Sequence, residues 1–220
     1  MANKNDYSTL TPLIKSAPKI LDLTNQAHLE QVIETVEKIL LLFNSKRALA
    51  QLERDLFSQT DMPMLISLAL KIAKSKIIVA DIKEILHISV VFAVYKEHNR
   101  IKTRAEHEHG ENFLLRKITQ LQWLLKDSSN LTWDMIIVDG GCPEYSGKIA
   151  QEILNKNYDG HNVQVLFVEE AIKQRLPVIA PMTSIAESQK GGAIEYGMWV
   201  AAQQHKPNHI ILFTDADLST

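Results

Sequence analysis

The sequence holds one cysteine, Cys142, so no disulfide can form within the chain. It carries no surplus of either charge: 24 lysines and arginines stand against 26 aspartates and glutamates, which removes the electrostatic reason to expect nucleic acid or an anionic membrane as the main partner. No stretch reaches the roughly 18 consecutive apolar residues that a membrane-spanning helix requires. The opening MANKNDYSTLTPL lacks an apolar core of signal-peptide length. These absences predict a cytoplasmic chain without a transmembrane segment, whose function comes from a local site.

What is present falls into two grammars. Residues up to about 25 are polar and proline-punctuated and read as a loose, disordered lead-in. Leu29, Val32, Ile33, Val36, Ile39 and Leu40 then recur at three- and four-residue intervals with Glu30, Glu34 and Lys38 between them, which predicts an amphipathic helix. A second helix is expected over about residues 46–57. A third should follow Asp61, which can cap it with Pro63 in the first turn. Residues 77–86 fit either a fourth short helix or a connector. Residues 1–86 are thus a predicted helical module, serving as a cap, an oligomerisation element or a contact for an acceptor or a partner protein.

From His87 the pattern is that of buried strands. Residues 88–94, 133–138 and 163–168 are β-branched and nearly continuous, as strands covered on both faces should be, and His209 to Phe213 closes the series. Helical spacing at Leu114, Ile118, Leu121 and Leu125, at Ile149, Ile153 and Leu154 behind a capping Ser146, and over about residues 191–204 fills the intervals. Residues 87–220 therefore predict an α/β domain, an open, mostly parallel sheet with right-handed crossovers. Ligands of such sheets bind at the carboxyl ends of the strands, where the strand order reverses. An order 3-2-1-4 would bring Tyr95 and Glu97, after the first strand, beside Asp215 and Asp217, after the fourth. Two carboxylates two residues apart on an extended chain point to the same side, and their oxygens suit a hard cation such as Mg2+ or Mn2+.

Four pieces in this order, SVVFAVYKEHN, WDMIIVDGGCPEYSG, QKGGAIEYGM and ILFTDADLST, resemble the family 2 glycosyltransferases of GT-A fold, in particular the branch with polyprenyl-phosphate sugar transferases. The resemblance covers about residues 88–220. It implies that the chain holds a UDP- or GDP-linked sugar and transfers the sugar to an acceptor hydroxyl. It further implies that Ala93 and Tyr95 flank the base, with Glu97 at the mouth of the same pocket, and that Asp139 accepts from base or ribose. Lys190, Gly191 and Gly192 would approach the phosphates at the opening of a helix. Asp215 would meet the ribose or a metal-bound water, and Asp217 would ligate the metal. The chain departs from the family pattern at Gly140, where a second acid is common, and at Ile194-Glu195-Tyr196, where a basic residue is common. The family takes its catalytic base from a stretch well beyond the Asp-x-Asp. No catalytic residue is therefore named, and the resemblance leads one to expect a piece of a longer enzyme with an apolar edge at Ile210 to Phe213.

Other readings compete. The same ending resembles the first motif of haloacid dehalogenase-type phosphatases, with Asp215 as nucleophile and Asp217 as acid/base. A catalytically incomplete nucleotide-binding or protein-interaction fragment is the non-enzyme alternative. His107 and His109 with Glu106 and Glu108 have ligand-type side chains, yet alternation in a polar loop predicts solvation. Cys142 has no base partner in the sequence. Trp123, Trp133 and Trp199 are expected in packing.

Overall fold

The change from helical spacing to β-branched runs becomes a boundary in space. The computed structural model describes residues 4–57 and 61–216, and the chain divides into two units, Met1–Ile82 and Lys83–Thr220. The division thus falls slightly before the expected one at residue 86.

The first unit holds α1 (Lys4–Ser16), α2 (Gln26–Leu42), α3 (Lys46–Phe57) and α4 (Met64–Ala80). The stretch read as a disordered lead-in contains α1, because Leu10 and Leu13, three residues apart, are both buried. Pro12 inside that helix hid the signal. Asn25 starts α2: its side-chain oxygen accepts from the Ala27 and His28 amides at 2.9 and 3.4 Å. The buried stripe is Val32, Thr35, Val36 and Ile39, and α2 packs chiefly on α4. Thr35 is tolerated there because its hydroxyl donates to the Gln31 carbonyl at 2.7 Å. Pro63, not Asp61, takes the cap position of α4 and supplies no side-chain bond. Residues 77–79 continue that helix to Ala80 instead of forming a separate one.

The second unit runs β1 (Leu86–Val94), α5 (Phe113–Leu125), β2 (Leu131–Asp139), α6 (Ser146–Asn157), β3 (Val163–Phe167), α7 (Val168–Lys173), α8 (Gln189–Ala202) and β4 (His209–Phe213). The four strands form an open sheet in the order β3-β2-β1-β4, every pairing parallel. This is the α/β architecture, and the strand order, expected from the sequence. Val168 leaves the third strand to start α7, and the stretch read as irregular also holds short 3-10 turns at Pro177–Ile179 and Ile185–Glu187.

Alternation along the central strands buries both faces of the sheet. Phe92, Val94, Met135 and Ile137 pack under α5 and α6. Val91, Ile136 and Val138 pack under α7 and α8. A Cβ on Gly197 of α8 would lie 2.5 Å from Val91 Cγ1 and 2.8 Å from Val138 Cγ2, so the bare glycine is what lets α8 settle onto β1 and β2. Trp133 and Trp199 pack against the two clusters as expected. Strand β4 pairs with β1 alone among the described residues and exposes Ile210, Leu212 and Phe213 by 43, 47 and 63%. No described helix is long and apolar enough to cross a membrane.

At the amino ends of the strands a polar knot joins β4 to β1. His87 stands opposite His209 and Thr132 in the ladder. The imidazole centroids of His87 and His209 lie 4.9 Å apart, His209 Nε2 meets Ser89 Oγ at 2.7 Å, and His87 Nε2 lies 3.5 Å from Asp134. Burial, with His87 and Lys206 acting in the same direction and Asp134 against them, lowers the pKa of His209. A depressed imidazole favours the folded state when neutral. Its contribution is therefore complete above the unfolded value of about 6.5 and is lost as pH falls through the folded value. The thermal midpoint should drop between pH 7.5 and 5.5, and the drop should be shallower in a His209→Asn chain. Equal slopes in the two melts would place the linkage elsewhere.

Candidate functional site

The path of the chain creates a crevice. From β1 it steps outward through β2 to β3, then returns over the opposite face to lay β4 on the other side of β1. A cleft of about 830 Å3 opens at the carboxyl ends of β1 and β4, which lie side by side where the strand order reverses.

One wall grows from β1. Ala93 lies near its end, followed by Tyr95, which is 53% exposed and borders the cleft, with Lys96 Nζ 5.7 Å from its ring centroid. Lys96 takes a left-handed backbone (φ 60°) and donates its N–H to Cys142 Sγ at 3.1 Å. The next amide, of Glu97, donates to Ser146 Oγ at 2.9 Å. Ser146 therefore anchors the loop after β1 and makes no helix cap; Tyr145, with φ 57°, occupies the cap position of α6. The Glu97 carboxylate accepts from Arg100 Nη2 at 2.8 Å, and both residues line the cleft.

The other wall comes from α8 and the end of β4. The Thr214 amide extends the ladder by donating to the Val91 carbonyl at 3.0 Å. Asp215 then lines the cleft while Ala216 is buried with Phe92 and Val94. Lys190, in the first turn of α8, donates through Nζ to Asp215 Oδ1. The floor contains Gly141, at φ 87°, where an added Cβ would meet Ile185 Cγ1 at 2.1 Å, so glycine is required on both grounds.

Of the residues singled out in the sequence, Ala93, Tyr95, Glu97, Lys190 and Asp215 thus border one cleft. Asp139, Gly191 and Gly192 do not border it. Asp139 is 5% exposed; Oδ1 accepts from the Gly141 and Cys142 amides at 2.7 and 2.8 Å, and Oδ2 from the Gly147 amide at 2.7 Å. It ties the end of β2 to the start of α6, so a base or ribose donor would compete with three backbone donors for its oxygens. Gly191 has no atom within 4 Å of a notional Cβ, whereas one on Gly192 would press on Met182 Cε at 2.6 Å. Helix α8 begins at Gln189, ahead of the glycines, and Gly192 serves its packing. Asp217 lies outside the described residues.

The donor set facing the cleft is of the hard-oxygen kind that Mg2+ or Mn2+ accepts, with Asp215 contributing a carboxylate. No three His, Cys, Asp or Glu side chains gather as a metal cage among the described residues. Magnesium usually takes one or two carboxylates with the remaining ligands from phosphate oxygens and water, and Asp215 is one such carboxylate, its Oδ1 accepting from Lys190 Nζ. The His107–His109 loop offers no such group: Glu106 is turned onto the Thr103 amide and hydroxyl, and His107 Nδ1 accepts the His109 amide at 3.0 Å. Cys142 is buried against Ser146 Oγ at 3.1 Å, in keeping with a packing role.

Sequence reasoning missed Arg100 and Ile185 as cleft residues. Arg100 had a signal, its three-residue spacing from Glu97; Ile185 sits in an irregular stretch with none. Asp139→Ala should lower the unfolding free energy by on the order of 3 kcal/mol, because three amides lose their acceptor. Urea melts of the two chains measure it, and an unchanged midpoint would refute the structural role.

No protein-family model, curated protein or solved structure matches this chain, so the chemistry of the cleft is the guide to its ligand.

Proposed function

We propose that the cleft holds the nucleotide-diphosphate part of an activated sugar, UDP- or GDP-linked, and that the chain acts in metal-dependent glycosyl transfer to an acceptor hydroxyl. One observation carries this reading: an exposed aromatic ring and two cation–carboxylate pairs, Glu97–Arg100 and Lys190–Asp215, share a single cleft at the point where the strand order reverses.

Each part answers a part of the ligand. The face of Tyr95 can stack on a base, and stacking tolerates either uracil or guanine. Lys190 and Arg100 provide positive charge for the diphosphate. Asp215, with Asp217, would hold a magnesium or manganese ion, which when bound neutralises charge on the departing diphosphate. In the transfer the acceptor oxygen bonds to the anomeric carbon and gives up its proton to a general base or to water, the bond from that carbon to the diphosphate oxygen breaks, and the electron pair leaves with the nucleoside diphosphate. The cleft residues account for binding and orienting the donor.

Titration calorimetry of UDP and GDP into the chain, with and without Mn2+, tests the reading. One of the two should bind with metal-enhanced affinity, and Asp215→Ala and Asp217→Ala should each remove most of that enhancement, about tenfold or more for loss of a metal ligand. A folded chain that binds neither nucleotide under either condition refutes the nucleotide reading.

A further inference from the structure

Arg100 is the cleft cation whose setting is most firmly built. Its carbonyl accepts the Glu111 amide at 2.9 Å, and neighbouring Ile101, 1% exposed in the core, donates its amide to the Glu97 carbonyl at 2.9 Å. Glu97 donates its own amide to the buried Ser146 hydroxyl at 2.9 Å. Residues 97–101 are therefore a turn fastened to the core at both ends. Within it the Glu97 side chain is only 11% exposed, against 35% for its partner Arg100. A carboxylate this buried gains from a charged partner, so the ion pair holds the guanidinium in place beside it. The pair on the opposite wall differs. Lys190 and Asp215 are 61% and 42% exposed, and such a pair can part at little cost.

We propose that Arg100 is the fixed anion-reading group of the cleft: oriented by Glu97, its guanidinium takes the diphosphate of the bound nucleotide, while Lys190 is the adjustable cation facing it. This rests on the nucleotide reading of the cleft. A guanidinium is planar, stays protonated at any physiological pH and offers a fork that matches two phosphate oxygens, which an ammonium does not. Glu97 is then a positioning residue acting through Arg100, in place of the base-pocket contact that the family resemblance implies.

The test is calorimetry on the full chain with the nucleoside diphosphate that the wild type binds, its monophosphate and inorganic pyrophosphate. The variants are Arg100→Gln, Arg100→Lys and the double variant Glu97→Gln/Arg100→Gln, each checked by circular dichroism. Arg100→Gln should weaken the diphosphate and pyrophosphate by about tenfold or more, the size of one lost charge-assisted bond, and the monophosphate less. Arg100→Lys should recover only part of the loss. The double variant, which also removes the Glu97 charge, should remain as weak as Arg100→Gln. Affinity within about twofold of wild type in a folded Arg100→Gln chain overturns the proposal, as does recovery in the double variant, which would reduce Arg100 to a counter-ion for Glu97. Failure of the wild type to bind any nucleotide while it binds pyrophosphate through Arg100 removes the nucleotide reading and leaves the anion site standing. Binding of neither removes both.

Discussion

The candidate site depends on β1 being buried on both faces and paired along both edges. A strand in that position has nowhere to put a polar side chain except at its ends. At the amino end the sequence places His87 and Ser89, and at the carboxyl end Tyr95 and Glu97. Between them Val90, Val91, Phe92 and Val94 are at most 7% exposed. The sheet therefore forces its chemistry to two edges. The larger described cleft forms at the carboxyl edge, where β1 and β4 lie side by side across the reversal of strand order.

That edge is stiffened by backbone amides that find side-chain acceptors. Asp139 takes three of them, Ser146 takes that of Glu97, and Cys142 takes that of Lys96. These bonds satisfy loops that leave the sheet without ladder partners, where unpaired buried amides would each cost about 1–3 kcal/mol. They also divide the labour among residues that look alike in the sequence. Asp139 and Asp215 both stand at strand ends, yet one is consumed by the backbone and the other borders the cleft.

This division explains what could be read in advance. The fold was legible because it is written in long, repeated patterns: β-branched runs at 88–94 and 133–138, apolar spacing in α2 and α5, and the consequent strand order β3-β2-β1-β4. The convergence of Tyr95, Glu97 and Asp215 on one cleft followed from that order, whereas Lys190 was expected only from the family resemblance. Less legible were features decided by a few atoms. Helix α1 rests on Leu10 and Leu13 around an internal proline, too little for periodicity to register. The occupation of Asp139 depends on how residues 141–147 fold back, and the register that turns Gly192 onto Met182 depends on α8 starting at Gln189. Arg100 lay inside a run of polar residues where composition predicts solvent, and only its spacing from Glu97 distinguished it.

Among the described residues the four charged side chains that line the cleft form two ion pairs, and the consequence is chemical. Cations already paired with carboxylates exert less long-range pull on an anion than free ones, so the proposed binding of a nucleoside diphosphate would draw on local rearrangement. The buried Glu97–Arg100 pair resists rearrangement, while the exposed Lys190–Asp215 pair permits it. An arriving divalent ion and Lys190 would compete for the same carboxylate, and the ion, with the larger charge, would free the ammonium to turn toward the phosphates. Metal and nucleotide are then expected to bind cooperatively, each improving the site for the other by the same factor. The asymmetry in burial between the two ion pairs, 11% for Glu97 against 42% for Asp215, leaves the second pair the cheaper of the two to part.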